Sequence, residues 1–392
     1  MKSNKQKEVG FVISCASVEV NENLQNILIS SSKQVVDWDF VITFSIHNNL
    51  IAFVYINTSK YCSEFVPEEI LKKLKGYYIG ILSRNLFLTG ALLKILELFN
   101  KNDIFAVPFK GPVLAESIYK DVALRTFSDL DILISKNDAI KTYKLLLEND
   151  YLPEKQLSEK QLPGYLETEY NFTVSRKDHK VTIDLQWQMS SKYLGKPYCI
   201  ENLKPNLSKI QLINKDVYTV GNLDLLIYLC HHGVTHCWNS IEQILCIKEL
   251  LIQETNANIQ ETHRVAKNKH CEREFLMGLY LCNLFFDVKL PDKIFLKIKK
   301  DGKLVSLSNE VYKRLLEDKN NTNNELINFH FSSFHFKIRD SFLDQVKYFI
   351  YLITRPTKED WHVFNLPKRF SFLYRILRPF RLAVEFIKLK VK

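Results

Sequence analysis

Glycine and proline are scarce in this chain, at 11 residues each among 392. Such low contents exclude a collagen-like or low-complexity protein, in which these residues dominate. Hydrophobic residues make up 46% of the chain and charged residues 25%, which is an ordinary globular composition and excludes wholesale disorder. At about 150 residues per domain, the length predicts two to three domains.

The sequence has no cysteine pair with the CxxC spacing, although eight cysteines are scattered along it. A disulfide scaffold and a zinc ribbon are therefore disfavoured, and reduced thiols in a cytoplasmic protein are expected. The charged N-terminus is followed by only a short apolar stretch from Gly10 to Val18, which is a poor signal peptide. No run reaches the roughly 18 uninterrupted apolar residues of a membrane span.

Most of the chain carries little net charge. The formal total is +10, but the segment Trp361–Lys392 holds eight Lys and Arg residues against one acid, Glu385. The near-neutral remainder disfavours a nucleic-acid partner. Residues 368–392 mix cations with large apolar side chains, which predicts a basic amphipathic tail. That tail either contacts an anionic membrane peripherally or docks as a helix on the protein, with its basic side in water.

Hydrophobic periodicity predicts a small αβ unit with helices before and after it. Helices are expected over 66–101, 113–119, 137–148, 223–251, 272–286 and 342–353, and strands over 104–109, 130–135, 172–174 and 180–187. The last two strands are predicted to form a hairpin that turns at residues 177–179.

The resulting fold class is α+β, with a small mixed sheet, flanking helices and a helical C-terminal region. We expect a largely helical N-terminal segment over residues 1–103, a core over 104–220, and a helical C-terminal domain with the basic tail over 221–392.

Carboxylates interrupt two of the apolar strands. Asp129 and Asp131 are two residues apart, so their side chains point to one face of a strand. Asp184 lies within a second apolar run, and three carboxylates converge if the two strands are neighbours. Carboxylate oxygens are ligands that Mg²⁺ prefers, with Mn²⁺ as a substitute. The pattern predicts a metal site for phosphoryl transfer, in which Asp184 serves as ligand or base.

A phosphate-binding turn is predicted where the first strand meets a helix, at Lys110-Gly111-Pro112. Gly111 allows close approach of the backbone, and the following helix presents free N–H groups to an anion. Lys110 and Arg125 either neutralise phosphate charge or form structural ion pairs with the carboxylates. His232 and His236 lie one helical turn apart, and a histidine pair near the nucleotide is preferred to a zinc site.

These segments together resemble a family. The matching residues are Lys110-Gly111-Pro112, Leu114, Tyr119, Arg125, Asp129-x-Asp131 with Leu133, Ile183-Asp184-Leu185-x-Trp187, His232-Gly233, His236, Trp238, Pro356-Thr357, Asp360-Trp361, Leu366-Pro367, Leu373-Tyr374, Arg378-Pro379 and Arg381-Leu382. Over roughly residues 65–392 the chain resembles the bacterial uncharacterised nucleotidyltransferase family, within the DNA-polymerase-β-like nucleotidyltransferase superfamily. It departs from the wider superfamily in having Gly-Pro at the turn, where Gly-Gly or Gly-Ser is usual.

The resemblance implies transfer of a nucleoside monophosphate from an NTP such as ATP, with Asp129, Asp131 and Asp184 as the metal-binding carboxylates. The acceptor is expected to be a small molecule or a protein. Two alternatives stay open, a metal-dependent glycosyltransferase that uses a nucleotide sugar and an inactive nucleotide-binding or partner-binding module.

Overall fold

The computed structural model describes residues 2–190, 198–317, 333–356, 360–361, 370 and 372–390. The helices are α1 Lys2–Cys15, α2 Glu22–Ser32, α3 Trp38–His47, α4 Ile51–Tyr61, α5 Glu68–Lys101, α6 Pro112–Tyr119, α7 Ala139–Glu148, α8 Leu162–Thr168, α9 Ile200–Leu203, α10 Asn222–Thr235, α11 Ile241–Leu251, α12 Asn256–Asn268, α13 Glu272–Phe286, α14 Asp292–Lys300, α15 Gly302–Leu316, α16 Ser333–Lys337, α17 Phe342–Thr354 and α18 Leu373–Lys390. The strands are β1 Ala106–Pro108, β2 Asp129–Ile134, β3 Tyr151–Pro153, β4 Asn171–Arg176, β5 Thr182–Gln186, β6 Leu207–Leu212 and β7 Lys215–Val220.

The chain divides into two compact units, each built from separated stretches of sequence. The first, here called the helical unit, draws its described residues from Met1–Ala91, Lys110–Phe127 and Ser208–Asn328. The second, the sheet unit, draws them from Leu92–Phe109, Ser128–Leu207 and Phe329–Lys392. The three domain ranges expected from the sequence stay a prediction.

The sheet unit contains a mixed five-stranded sheet in the order β1-β2-β5-β4-β3. Strands β2 and β5 run parallel, and the other neighbouring pairs are antiparallel. One face is apolar, because the side chains of Leu130, Ile132, Ile183 and Leu185 alternate with polar residues along β2 and β5. Aromatic rings cover this face through Phe172, whose ring centroid lies 4.4 Å from that of Tyr143, 5.2 Å from that of Tyr165 and 5.0 Å from that of Trp187.

The expected α+β architecture is confirmed, with a mixed sheet and abundant helices. The strands predicted around residues 104–109 and 130–135 and the 172–187 hairpin are present as β1, β2 and β4–β5. The helix expected over 223–251 is instead two helices, α10 and α11, because Cys237 and Trp238 take left-handed backbone conformations between them. Strands β3, β6 and β7 were not predicted from the sequence. Strand β3 is only three residues long, and β6 and β7 have many exposed residues and little alternation of apolar and polar side chains.

Helix α5 is the one helix in the described ranges that is long and apolar enough to cross a membrane by length and composition. A third of its most apolar window is buried within the protein. A core helix gives the same pattern, so this property is weak evidence for a membrane span.

A glycine lies beside the break between α10 and α11. A Cβ atom built on Gly233 would lie 2.5 Å from Cζ3 of the Trp238 ring, closer than real Cβ atoms approach. The Trp238 side chain is fully buried, and its backbone N–H donates to the Gly233 carbonyl at 2.7 Å. The indole ring therefore packs directly on the glycine backbone, which explains why this position excludes a larger residue.

Gly233→Ala is expected to destabilise the protein by about 1–3 kcal/mol, because the added methyl group overpacks the Trp238 contact. Gly90→Ala is the matched control, since a Cβ atom there meets open space within helix α5. That control is expected to be neutral or to stabilise by roughly 0.5–1 kcal/mol. Urea unfolding of both variants measures the difference, and equal midpoints would contradict the packing argument.

Candidate active site

The three predicted carboxylates lie on adjacent strands in the middle of the sheet. Asp131 of β2 is directly opposite Asp184 of β5, and Asp129 pairs with Thr182 in the same ladder. Neighbouring strands are about 4.8 Å apart, and residues paired across a parallel ladder project to the same face. The polar face of the sheet therefore brings together all three carboxylates that the sequence analysis selected.

The Asp131 carboxylate is buried, with 3% of the residue exposed. Its Oδ1 accepts a hydrogen bond from Nε2 of Gln186 at 2.7 Å. Gln186 is also buried, and its Oε1 has no hydrogen-bond partner among the described residues. A buried amide oxygen without a partner is costly, so this atom is a candidate acceptor or ligand atom on the carboxylate side of the sheet.

The Asp184 carboxylate is held from the other side by strand β4. Its Oδ1 accepts a hydrogen bond from the Thr173 hydroxyl at 2.6 Å, and Nδ2 of Asn171 lies 3.5 Å away. Gln186, Thr173 and Asn171 were not among the site residues predicted from the sequence. The sequence pattern could have identified them, because polar side chains alternate with apolar ones along both β4 and β5. Such alternation predicts that the polar residues share one face of the sheet.

The donor chemistry of this face fits a hard divalent cation, since it offers carboxylate, amide and hydroxyl oxygens. Within the described ranges, however, no group of three or more His, Cys, Asp or Glu side chains is arranged to hold a metal ion. The side chains of Asp131 and Asp184 instead take hydrogen bonds from Gln186 and Thr173. The strand register thus places the carboxylates as the predicted metal site requires. The carboxylates of Asp131 and Asp184 accept hydrogen bonds from neighbouring side chains.

The predicted phosphate turn lies in the helical unit and has the expected backbone. Gly111 has a φ of 57° and a ψ of −127°, which an L side chain rarely adopts, so the turn requires glycine. Pro112 occupies the first turn of α6, where its missing N–H costs no hydrogen bond. Lys110 precedes this turn, and its charge acts on His232.

Arg125 has a carboxylate partner within the helical unit. Its Nε lies 3.3 Å from Oε1 of Glu242, and both side chains are largely buried. The same Glu242 oxygen accepts hydrogen bonds from the Cys246 thiol at 2.9 Å and from the Tyr119 hydroxyl at 3.3 Å. Burial raises the pKa of Tyr119 and of Cys246, so both keep the protons that they donate. Burial disfavours the charged form of Arg125, but the Glu242 carboxylate outweighs it and raises the pKa of Arg125.

The two predicted histidines contact each other at the end of α10. The ring centroids of His232 and His236 are 4.4 Å apart, and His232 also stacks on Tyr228. Burial and the nearby charges of Lys110, His236, Arg125 and His231 lower the pKa of His232 well below its usual range. His232 is therefore neutral at pH 7. His231 points elsewhere, with its Nδ1 2.7 Å from a Glu274 oxygen.

A scan against protein-family models matches residues 34–287 of this chain to a family described as uncharacterised nucleotidyltransferase. The match covers about two thirds of the chain. The chain belongs to this nucleotidyltransferase family. Comparisons with curated proteins and with solved structures give no match.

The matched range of this nucleotidyltransferase includes every residue that the sequence analysis assigned to the site, from Lys110 to His236. It begins earlier than the resemblance seen in the sequence, which started near residue 65. It also ends before the C-terminal motifs from Pro356 onward. Of those motifs, Thr357 and Leu366-Pro367 lie outside the described residues.

The lowered pKa of His232 predicts acid sensitivity of this nucleotidyltransferase. The unfolded chain binds a proton near pH 6.5 more readily than the folded chain, so His232 lowers stability as the pH falls below about 6.5. His232→Gln removes this contribution, which is at most about 1.4 kcal/mol per pH unit for one proton.

The measurement is urea unfolding of wild type and His232→Gln between pH 7.5 and pH 5. The stability difference between them is expected to shift in favour of the variant as the pH falls. His47→Gln, at an exposed histidine, is the matched control and is expected to follow wild type. Parallel curves for wild type and His232→Gln would contradict the assigned environment.

Proposed function

We propose that this nucleotidyltransferase is a Mg²⁺-dependent enzyme that transfers a nucleoside monophosphate from an NTP to a hydroxyl or phosphate group. Mn²⁺ is the expected substitute for Mg²⁺. The acceptor is proposed to be a small molecule or a side chain of another protein. The observation that supports this proposal is the pairing of Asp131 with Asp184 across parallel strands, with Asp129 two residues earlier on the same face.

In this proposal Asp129, Asp131 and Asp184 hold the cation and the Gln186 oxygen faces the same site. A bound divalent cation would neutralise phosphate charge and favour ionisation of the attacking hydroxyl. The acceptor oxygen forms a bond to the α-phosphorus, the bond from that phosphorus to the β-phosphate oxygen breaks, and pyrophosphate leaves. Asp184 accepts the proton of the attacking hydroxyl if it is not occupied as a ligand.

The proposed nucleotide-binding residues are Lys110, Gly111, Arg125, His232 and His236. Lys110 and Arg125 are cationic, His232 is a neutral imidazole, and Gly111 immediately precedes helix α6. The pairing of Arg125 with Glu242 means that Arg125 would contact phosphate only in addition to its internal ion pair. A cytoplasmic location and an NTP such as ATP are part of the proposal.

A second candidate is an inactive nucleotide-binding module. The hydrogen-bonded state of Asp131 and Asp184 favours it, because no three-ligand metal group stands ready among the described side chains. No observation specifically favours the glycosyltransferase alternative, which would not require Asp184 beside the Asp-x-Asp pair.

Asp131→Asn and Asp184→Asn are each expected to reduce NMP transfer by at least about 100-fold, because each removes a charged ligand from the proposed site. The assay follows α-³²P label from each NTP, with Mg²⁺, onto protein or onto small-molecule extracts. Asp150→Asn is the matched control, since Asp150 is an exposed residue beside β3 that pairs with Lys177. Its activity is expected to equal that of wild type.

Equal label transfer by wild type and the two site variants would contradict the proposed chemistry. Tight NTP binding without turnover, unchanged in Asp184→Asn, would instead support the inactive module.

Thr173→Val tests whether the hydroxyl that holds Asp184 orients a metal ligand. Loss of an outer hydrogen bond to a ligand typically weakens metal affinity by about 10- to 100-fold. The Mg²⁺ concentration for half-maximal activity is therefore expected to rise by about that factor. Thr182→Val is the matched control on the same sheet face, because its hydroxyl bonds to Ser175 at 3.0 Å and not to a carboxylate. Equal Mg²⁺ dependence in the two variants would contradict the role of Thr173.

A further inference from the structure

Helices α17 and α18 of the sheet unit each present an apolar stripe to the outside. On α17 the exposed side chains recur at helical spacing, so they cover one side of the helix. These are Phe342, Leu343, Val346, Phe349 and Ile350, with exposures from 37% for Val346 to 74% for Phe342. On α18 the stripe repeats every four residues, at Ile376, Phe380 and Val384, with exposures of 53%, 68% and 50%.

The two helices pack on each other, and buried polar contacts fix their orientation. Nε of Arg378 on α18 donates to the carbonyl oxygen of Leu352 on α17 at 3.2 Å. Arg378 and Arg381 both donate to the buried carboxylate of Asp360, at 2.9 Å and 2.5 Å. A buried carboxylate with two guanidinium partners is a well-satisfied site that resists rearrangement. Arg378 and Arg381 of α18 thus point into the sheet unit, and the apolar stripe of α18 faces outward.

Aromatic contacts tie this helix pair to the rest of the sheet unit. The ring centroids of Trp361 and Tyr374 are 4.1 Å apart, and Trp361 also meets Tyr165 edge-on. Nε2 of Gln161 donates to the Trp361 carbonyl oxygen at 3.0 Å. Residues 161 and 165 belong to the segment around α8, which covers the apolar sheet face. Helix α18 and its exposed stripe are therefore held to the sheet unit by the contacts of Trp361.

Charge distinguishes among the possible occupants of this surface. The pairing with Asp360 uses two of the eight cations found after residue 360, and six cations against Glu385 remain in the sequence. Among these six, Arg375 has a described side chain, and it is exposed beside the α18 stripe. Two copies of such a cationic surface would repel each other if they met face to face. An anionic lipid surface instead satisfies both the apolar stripes and the cations.

We propose that the outer surface of α17 and α18 docks on an anionic lipid bilayer. The large apolar side chains of both stripes enter the boundary between headgroups and acyl chains. Arg375 and the other cations of residues 368–392 that do not pair with Asp360 bind lipid phosphates. This proposal extends the amphipathic tail to a two-helix surface in which α17 supplies the larger share of the apolar side chains. It is independent of the proposed catalytic activity.

The test is flotation of the full-length protein with vesicles of phosphatidylcholine alone or with 30% phosphatidylglycerol. Wild type is expected to partition at least about tenfold more strongly to the anionic vesicles, and binding is expected to weaken between 0.1 M and 0.5 M NaCl. The double variant Phe342→Ser/Phe380→Ser is expected to lose at least about tenfold in partition coefficient. Both positions are exposed, so folding is expected to be retained.

The matched control is Val36→Ser/Leu296→Ser, which removes two apolar side chains of the helical unit that are also largely exposed. It is expected to partition like wild type. Absence of wild-type binding, equal binding to neutral and anionic vesicles, or equal binding by the Phe342/Phe380 variant would overturn the proposal. Self-association that this variant abolishes, in a protein that ignores vesicles, would assign the surface to a second copy instead.

Discussion

The parallel pairing of β2 with β5 is the constraint on which the candidate site depends. In this register Asp131 faces Asp184, while Ile132 faces Leu185 on the opposite side of the sheet. A shift of one residue would turn the Asp184 side chain of β5 into the apolar layer and bring Leu185 to the polar face. The aromatic cluster around Phe172 and Trp187 prevents that shift, because it fills the apolar face with large rings. Packing on one face of the sheet thus sets the chemistry of the other.

Two carboxylates placed side by side in a partly buried position repel each other. The protein offsets part of this cost with neutral donors, since Gln186 donates to Asp131 and Thr173 donates to Asp184. Carboxylate oxygens are also the ligands that a hard divalent cation prefers. The Gln186 amide oxygen, which has no hydrogen-bond partner among the described residues, lies on the same sheet face as the two adjacent carboxylates.

Several motif residues of the helical unit have contacts that packing and ion pairing explain. Gly233 and Trp238 contact each other directly, and Tyr119 and Arg125 converge on the buried carboxylate of Glu242. These contacts explain why particular residue types occur there without any reference to a substrate. His232 is different, since burial beside cations keeps its imidazole neutral. Its ring stacks on Tyr228 and meets the ring of His236 edge-on.

The local pattern of the chain was enough to predict β1, β2, the β4–β5 hairpin and the glycine turn, and it selected the three carboxylates that share one sheet face. Alternation along a strand assigns side chains to faces, and only glycine readily adopts the backbone found at residue 111. The neighbours of each strand were decided by tertiary structure, because pairing depends on contacts between residues distant in sequence. For that reason the sequence did not predict the partners of the buried polar groups. These partners are Gln186 for Asp131, Thr173 for Asp184, Glu242 for Arg125, and Asp360 for Arg378 and Arg381.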